Sequence, residues 1–365
     1  MKSPYMDEAF TAARQGLGLT SPNPAVGAII VRDGEVVGRG HHVYSRRTHA
    51  EVLALEEAGD KARGATVYVT LEPCSHHGRT PPCVDALIDA GVARVIAAME
   101  DPNPLVSGQG FSRLREAGIA VDMAPEYGPE AVLINEGFVH SIRTGLPLVT
   151  LKAAVTLDGK ISAPEDNSGW ITSERARAHV QGMRHLCDSI LTGVGTVLAD
   201  NPLLTDRTGI ERSRPLMRVV LDSTLRIPLD SRMVASAAGD LLVVTTSAAA
   251  PVRREALESR GVQVLVCDGD DGRTDLRQAV EHLGRENYRS LMIESGSKVN
   301  WAALEAKVVD KMFFYYAPKI LGGIQSLPVV GGVGRKRRRD AIRFHGIKLH
   351  PIPPDEFAVE GYIVN

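Results

Sequence analysis

Thr48-His49-Ala50-Glu51 and, further on, Glu72-Pro73-Cys74-Ser75-His76-His77-Gly78-Arg79-Thr80-Pro81-Pro82-Cys83 are the segments on which the reading of this chain turns. The imidazole of His49 and the thiols of Cys74 and Cys83 are all good donors to Zn²⁺. Three protein ligands leave a fourth position open, which a catalytic zinc needs for its water; a structural zinc closes with a fourth protein ligand. His76 or His77 would supply that ligand and make the site structural. Pro73 and Pro82 each put a cysteine where a helix can begin, and a helix N-terminus favours the thiolate that binds metal.

The order His-x-Glu, Pro-Cys, then Cys is that of the zinc-dependent base deaminases. Those enzymes usually have a Cys-x-x-Cys spacing, whereas eight residues separate the cysteines here, which points to a subfamily. Zinc lowers the pKa of a bound water towards neutrality and makes hydroxide available to a ring carbon that carries an exocyclic amine. A carboxylate must then carry protons to the ring nitrogen and to the departing ammonia. Glu51 fits that catalytic role. Thr48-x-x-Glu51 also reads as a capping box, in which Glu51 does no more than cap a helix.

The wider composition sets bounds. A length of 365 residues has room for two domains. A net charge of -2 provides no global basic field to draw nucleic acid. Four cysteines are too few for a disulfide scaffold, and two of them read as ligands, which implies a reducing compartment. Cys187 and Cys267 have apolar neighbours and read as packing residues. The N-terminal residues have neither an apolar signal core nor an Arg-rich transit pattern, and no run is apolar enough to span a membrane. The expectation is a cytoplasmic homo-oligomer with no membrane or nucleic-acid partner.

In the first half, helices are expected near 5–16, 49–59, 82–90, 111–117 and 129–143, and strands near 26–31, 35–40, 65–71, 93–99 and 119–123. Asp33-Gly34 is a strong hairpin signal. Strands that alternate with helices predict an α/β layered domain.

Ser21-Pro22-Asn23-Pro24, His49-Ala50-Glu51 and the Glu72–Cys83 stretch resemble the deaminase half of the bifunctional deaminase/reductase family of riboflavin biosynthesis. The eight-residue spacing is that family's. The resemblance implies a cytidine-deaminase-like α/β/α domain over 1–145. It also implies a phosphorylated pyrimidine substrate, 2,5-diamino-6-ribosylamino-4(3H)-pyrimidinone 5′-phosphate, which loses its 2-amino group. By motif match His49, Cys74 and Cys83 hold one zinc per chain and Glu51 shuttles the proton. His76 and Arg79 are candidates for the phosphate, and Asn23 and His42 for the pyrimidine edge. Asn23 is equally well placed as a turn residue, and His42 as an exposed strand end.

After a Thr144–Pro147 linker the second half again alternates. Strands are expected near 148–155, 189–192, 218–222, 241–245, 262–267, 291–294, 312–316, 346–351 and 357–364, and helices near 174–187, between 245 and 262, near 274–283 and 299–306. Gly193-x-Gly195 lacks the third glycine of a dinucleotide fingerprint. Ser295-Gly296-Ser297 precedes a helix whose first amides could hold a phosphate, although either junction also reads as a plain turn. Leu157-Asp158-Gly159, Ser168-x-Trp170-Ile171-Thr172-Ser173, Thr196–Thr205 and Ala317–Gly323 resemble the reductase half of the same family. That implies a dihydrofolate-reductase-like α/β domain over 146–365, which uses NADPH to reduce the ribosyl group of the deaminated product to ribityl. Matched positions assign Val155, Trp170, Thr196, Asp200, Ser223, Gly296, Ser297 and Lys298 to NADPH. They assign Lys152, Ser168, Arg184, Leu204, Arg207 and Glu294 to the substrate. Arginines pair with phosphate and a strand-end carboxylate holds ribose hydroxyls. Lys152 would polarise the opening ribose, or else is a surface lysine at a strand edge. Ser295, where a second glycine is expected, and Lys298 depart from the pattern.

Two rival readings are carried alongside: a nucleoside or tRNA base deaminase with an inert second half, and a nucleic-acid module with structural zinc. The latter would use Arg335-Lys336-Arg337-Arg338-Arg339, which otherwise reads as a solvated loop. An aromatic content of 5% offers few stacking platforms for bases.

Overall fold

The computed structural model describes residues 2–76, 81–165 and 168–364. The chain divides into two compact units. The first runs to Gly145 and includes Glu211–Arg214; the second holds Leu146–Ile210 and the chain from Pro215 onward.

In the first unit the elements are α1 (Pro4–Gln15), β1 (Gly27–Arg32), β2 (Glu35–His41), α2 (Ala50–Ala58), β3 (Thr66–Val69), α3 (Cys83–Ala90), β4 (Arg94–Ala97), α4 (Gln109–Glu116), β5 (Ala120–Met123), α5 (Gly128–Ile134) and α6 (Glu136–Thr144). They build a five-stranded sheet in the order β2-β1-β3-β4-β5. The β1–β2 hairpin turns at Asp33 and Gly34, both at positive φ, as its Asp-Gly sequence demands. β3, β4 and β5 run parallel, joined by crossover helices. Alternation along β1 sends Ala28 and Ile30 to a core with α2, α3 and α4. Ile29 and Val31 go to a second core with Met6 and Phe10 of α1, Ala131 and Val139. Both faces of the sheet are therefore covered.

Two features depart from the sequence reading. The helix expected over 129–143 is two helices, broken at Asn135. Its buried side chain accepts from Ala25 N–H at 2.7 Å and donates to Ala25 C=O at 3.0 Å, so a long-range pair outcompetes helix continuity. The second is how closely α2 lies on β2. Small side chains (Ala50, Ala54, Ala58) face the strand, and a Cβ at Gly40 would come within 2.0 Å of the Ala50 carbonyl oxygen.

The second unit comprises β6 (Leu148–Thr156), β7 (Lys160–Ser162), α7 (Glu174–Leu186), β8 (Ser189–Gly193), α8 (Val194–Asp200), β9 (Met217–Leu221), α9 (Arg232–Ala235), β10 (Leu241–Thr245), α10 (Pro251–Glu258), β11 (Gln263–Val266), α11 (Leu276–Arg285), β12 (Ser290–Glu294), α12 (Ser297–Glu305), β13 (Lys311–Ala317), β14 (Leu327–Pro328), β15 (Phe344–Ile352) and β16 (Glu356–Ile363). Its main sheet has nine strands, ordered β11-β10-β9-β8-β12-β6-β13-β16-β15. The run from β11 to β13 is parallel and β16 and β15 are antiparallel. β8 and β10 are buried at every position, as strands covered on both faces must be. The short α8, the short α9 and the β7–β14 pair had no sequence signal; α8 carries a glycine, a threonine and two valines and owes its helicity to its place after β8.

Gly40→Ala tests the α2–β2 approach. The added methyl must push the helix from the strand, at a cost of about 3 kcal/mol. The expected outcome is a clearly lowered urea midpoint; a midpoint equal to that of the wild type would mean that α2 stands off from β2.

Candidate functional site

His49 is the N-cap of α2 and Cys83 is the first residue of α3. Cys74 follows β3 in irregular backbone, not at a helix start as its proline suggested. It still sits at a helix N-terminus, because Cys83 N–H donates to Cys74 Sγ at 3.2 Å and Val84 N–H to the Cys74 carbonyl at 3.2 Å. The first turn of α3 thus serves both sulfurs. His49 Nδ1 lies 3.0 Å from Cys83 Sγ and 3.5 Å from Cys74 Sγ, and all three donor atoms are within 4.8 Å of one another. Donors on a tetrahedral zinc with its usual bond lengths stand about 3.5 Å apart, so the three atoms fit that metal. Among the described residues His76 lies outside this cluster, and His77 and Arg79 fall outside the described residues.

The capping-box reading of Thr48 and Glu51 does not hold. Thr48 Oγ1 donates to the Arg46 carbonyl, and the cap position belongs to His49. Glu51 is 4% exposed. Burial first, and then negative charge at Cys74, push its carboxyl up to about 7. A carboxyl poised there both accepts and returns a proton near neutral pH. The thiol of Cys74 is driven down, first by the hydrogen bond from the Cys83 thiol and then by His49 and the Cys83 N–H. The Cys83 thiol is pushed up by the proton it shares with Cys74 and by burial.

His42 is buried at 4% exposure and is not an exposed strand end. Its Nδ1 meets the Thr48 carbonyl at 2.9 Å, which requires a proton on Nδ1, so Nε2 accepts from Asn23 Nδ2 at 3.1 Å. Burial lowers the His42 pKa and keeps the ring neutral. That tautomer leaves the Asn23 carboxamide oxygen as an acceptor. The His42 and His49 rings meet edge-on at 5.2 Å, so the Asn23–His42 pair adjoins the metal cluster. His76 is exposed. The sequence reading passed over Asp101, whose carboxyl, raised chiefly by burial, also senses Glu72, His76 and Cys74. A signal was available: Asp101-Pro102-Asn103-Pro104 repeats the Pro-Asn-Pro of residues 22–24.

In the second unit several of the predicted residues stand at or just after the carboxyl ends of the parallel strands. Val155 is the penultimate residue of β6, Thr196 follows β8, Ser223 follows β9, Glu294 ends β12, and Gly296, Ser297 and Lys298 follow it. Open α/β sheets bind ligands at this edge, where chain order reverses. β6 and β8 are separated by β12, which returns between them. Gly296 is the N-cap of α12, and the buried Ser297 Oγ has no hydrogen-bond partner among the described residues. Val155 is fully buried. Lys298 and Asp200 are exposed. Trp170 is 68% exposed; its ring lies 4.7 Å from the Arg177 guanidinium, and its carbonyl accepts from Lys319 Nζ at 2.9 Å.

Lys152 is not a surface lysine. β6 runs between β12 and β13, and the residue is 7% exposed. Lys152 Nζ meets Glu294 Oε1 at 3.0 Å, while Arg184 of α7 meets Oε2 through Nη2 at 2.9 Å and Nε at 3.1 Å. Burial works to raise the Glu294 carboxyl, but the two cations win and hold it at about 2. Arg184 also donates to the Thr205 carbonyl, and Arg207 N–H to Gln181 Oε1, so α7 anchors the loop that carries Leu204 and Arg207. Leu204 is buried at positive φ and Arg207 is exposed. Ser168 is exposed. The basic run is a solvated turn: Arg337 pairs with Asp340, and Arg335 lies over the Trp301 ring at 5.3 Å.

Comparison with known proteins covers both units. The family described as the cytidine and deoxycytidylate deaminase zinc-binding region matches residues 1–99, and the RibD C-terminal domain matches residues 147–353. The riboflavin biosynthesis protein RibD of Actinobacillus pleuropneumoniae is 43% identical over 93% of this chain and 89% of its own length. That of Escherichia coli is 42% identical over 96% of each chain. Acinetobacter baumannii RibD superposes with a TM-score of 0.89 at 34% identity, over 99% of this chain and 98% of its own. A Thermotoga maritima structure described as a diaminohydroxyphosphoribosylaminopyrimidine deaminase/5-amino-6-(5-phosphoribosylamino)uracil reductase superposes at 0.82 and 34% identity, over 99% and 98%. Likeness over both halves removes the readings of an inert second half and of a nucleic-acid module. No helix among the described residues is long and apolar enough to cross a membrane. A cytidine-deaminase-like unit that brings three metal donors and a buried acid together, followed by a reductase-like unit, identifies this chain as a member of the bifunctional RibD deaminase/reductase family of riboflavin biosynthesis.

Proposed function

We propose that the first unit hydrolytically removes the 2-amino group of 2,5-diamino-6-ribosylamino-4(3H)-pyrimidinone 5′-phosphate. The second unit then reduces the ribosyl group of that product to ribityl with NADPH. The observation that carries this reading is the convergence of His49, Cys74 and Cys83 beside the buried Glu51. One zinc per chain would be held by those three residues and, when bound, supplies an activated water. Glu51 would take one proton of that water to the ring nitrogen and then carry the second, from the added hydroxyl, to the leaving amine. Asn23, oriented by the neutral His42, hydrogen-bonds the pyrimidine edge. His76 and Arg79 bind the phosphate.

In the second unit NADPH, when bound, supplies hydride. Gly296 and Ser297 at the α12 N-terminus take its phosphates, and Val155, Trp170, Thr196, Asp200, Ser223 and Lys298 complete that site. Glu294 accepts from ribose hydroxyls while it holds Lys152, which protonates the opening sugar. Arg184, Arg207, Ser168 and Leu204 seat the rest of the substrate. An assembly of identical subunits in the cytoplasm belongs to the same reading.

Ammonia release and NADPH oxidation followed together test the order of the reactions. Wild type is expected to do both with the diaminopyrimidinone phosphate. Glu51→Gln is expected to retain zinc, lose ammonia release by at least ~1000-fold, and oxidise NADPH only when given deaminated product. Metal binding without ammonia release by the wild type would sink the deaminase assignment.

Glu294→Gln addresses the second unit. It leaves Lys152 and Arg184 facing each other without a counter-charge, at a cost of about 3 kcal/mol. Stability from the Glu294 carboxylate is fully present above the ordinary carboxylate range and lost as pH falls towards about 2, because its folded pKa is depressed. The destabilisation of the variant should therefore be constant from pH 6 to 8 on the order of the value above. NADPH oxidation should fall roughly 100-fold with ammonia release intact. Equal loss of both activities would point to general unfolding instead.

A further inference from the structure

Ser75 and His76, the first residues inserted between the two cysteines, pose a question the zinc ligands leave open: what holds them in place after Cys74. The contacts come from α4, an element to which the sequence reading gave no role. Glu72 immediately precedes Pro73-Cys74 and is buried. Its carboxylate collects four main-chain N–H groups. Oε2 accepts from Asp101 and Gly108, each at 3.0 Å, and Oε1 from Gly110 at 2.9 Å and Phe111 at 3.3 Å. Gly108 is the N-cap of α4 and has no side chain with which to cap it. Glu72 therefore caps α4 from a distant part of the chain, and its charge suits the helix dipole. The approach is tight: a Cβ at Gly110 would lie 2.2 Å from the Pro73 carbonyl oxygen.

One turn along α4, Arg113 reaches back. Its Nη1 donates to the Ser75 carbonyl at 2.9 Å, and its Nη2 pairs with Asp85 of α3. The start of the insertion is thus clasped on both sides. Glu72 fixes α4 against Pro73, and Arg113 on α4 fixes Ser75 and the helix that presents Cys83. None of these groups reaches the metal donors themselves.

We infer that Arg113, set in place by the Glu72 cap of α4, is a positioning residue of the deaminase site that fixes the Ser75–His76 turn for binding of the phosphorylated substrate. The inference rests on the deaminase reading above. Of the three donors that would hold the metal, His49 caps α2, Cys83 opens α3, and Cys74 is tied to the first turn of α3 by the Cys83 N–H, so loosening Ser75 and His76 weakens substrate binding before it releases zinc. The second unit, in the same chain, is an internal control.

The test uses the full-length zinc-loaded protein and its Arg113→Leu, Arg113→Lys and Glu72→Gln variants. Zinc content, ammonia release from the diaminopyrimidinone phosphate and NADPH oxidation with deaminated product are measured on each. For Arg113→Leu the KM for deamination is expected to rise roughly tenfold, with kcat within about threefold and with zinc content and NADPH oxidation unchanged. Arg113→Lys keeps the charge but cannot serve Ser75 and Asp85 together, so it should fall between the two. Glu72→Gln turns a donor towards two N–H groups and should move KM in the same direction. A KM for Arg113→Leu within about twofold of wild type overturns the inference, as does zinc content that falls in parallel with kcat. A wild type that binds zinc and releases no ammonia overturns the deaminase reading and this inference with it.

Discussion

Two helix N-termini deliver three soft donors to one point, and the first unit depends on that delivery. His49 caps α2 and Cys83 opens α3, while Cys74 is drawn to the same place by the free amides of α3. The position of α2 is set in turn by its close contact with β2, where Gly38 and Gly40 leave no room for a Cβ against the Ala54 and Ala50 carbonyls. Glu51, on the first turn of α2, is carried into the same buried space as a consequence. Its raised pKa is a product first of that burial and then of the negative charge at Cys74. The donor cluster and the buried acid are therefore one packing arrangement.

The second unit solves a different problem. A lysine on an interior strand costs energy unless a counter-charge meets it. Glu294, across the β6–β12 pair, provides that charge and is shared with Arg184 from α7. Two cations on one carboxylate leave a net positive site at the carboxyl edge of the sheet, suited to an anionic substrate. The same edge presents the α12 N-terminus with an unsatisfied buried hydroxyl at Ser297. Charge and orphan donors thus gather where parallel strands end, which is where this architecture opens.

Much of this was legible in the chain. Strand alternation, the Asp33-Gly34 turn and the glycines after helices marked most elements to within a few residues, because each rests on local sterics. The metal set was legible for a different reason: few residue types bind zinc, and their order survives without coordinates. What escaped was set by distant partners. Asn135 splits a helix to satisfy Ala25. Asp101 is half-buried in a loop that its own N–H ties to Glu72. Lys152 and His42 had local readings as surface groups that their burial overturned.

The sequence alone determined the chemistry on offer: a His/Cys/Cys donor set with an acid two residues from the histidine, an insertion that carries two histidines and an arginine, and a second α/β unit with a Gly-containing junction at its late strand. These follow from residue type and spacing, which do not change on folding. Only the tertiary structure decided that the three donors meet, that Glu51 is buried enough to hold a proton near neutral pH, and that Lys152, Glu294 and Arg184 are one cluster. The physical reason is that convergence and desolvation are sums over contacts remote in sequence.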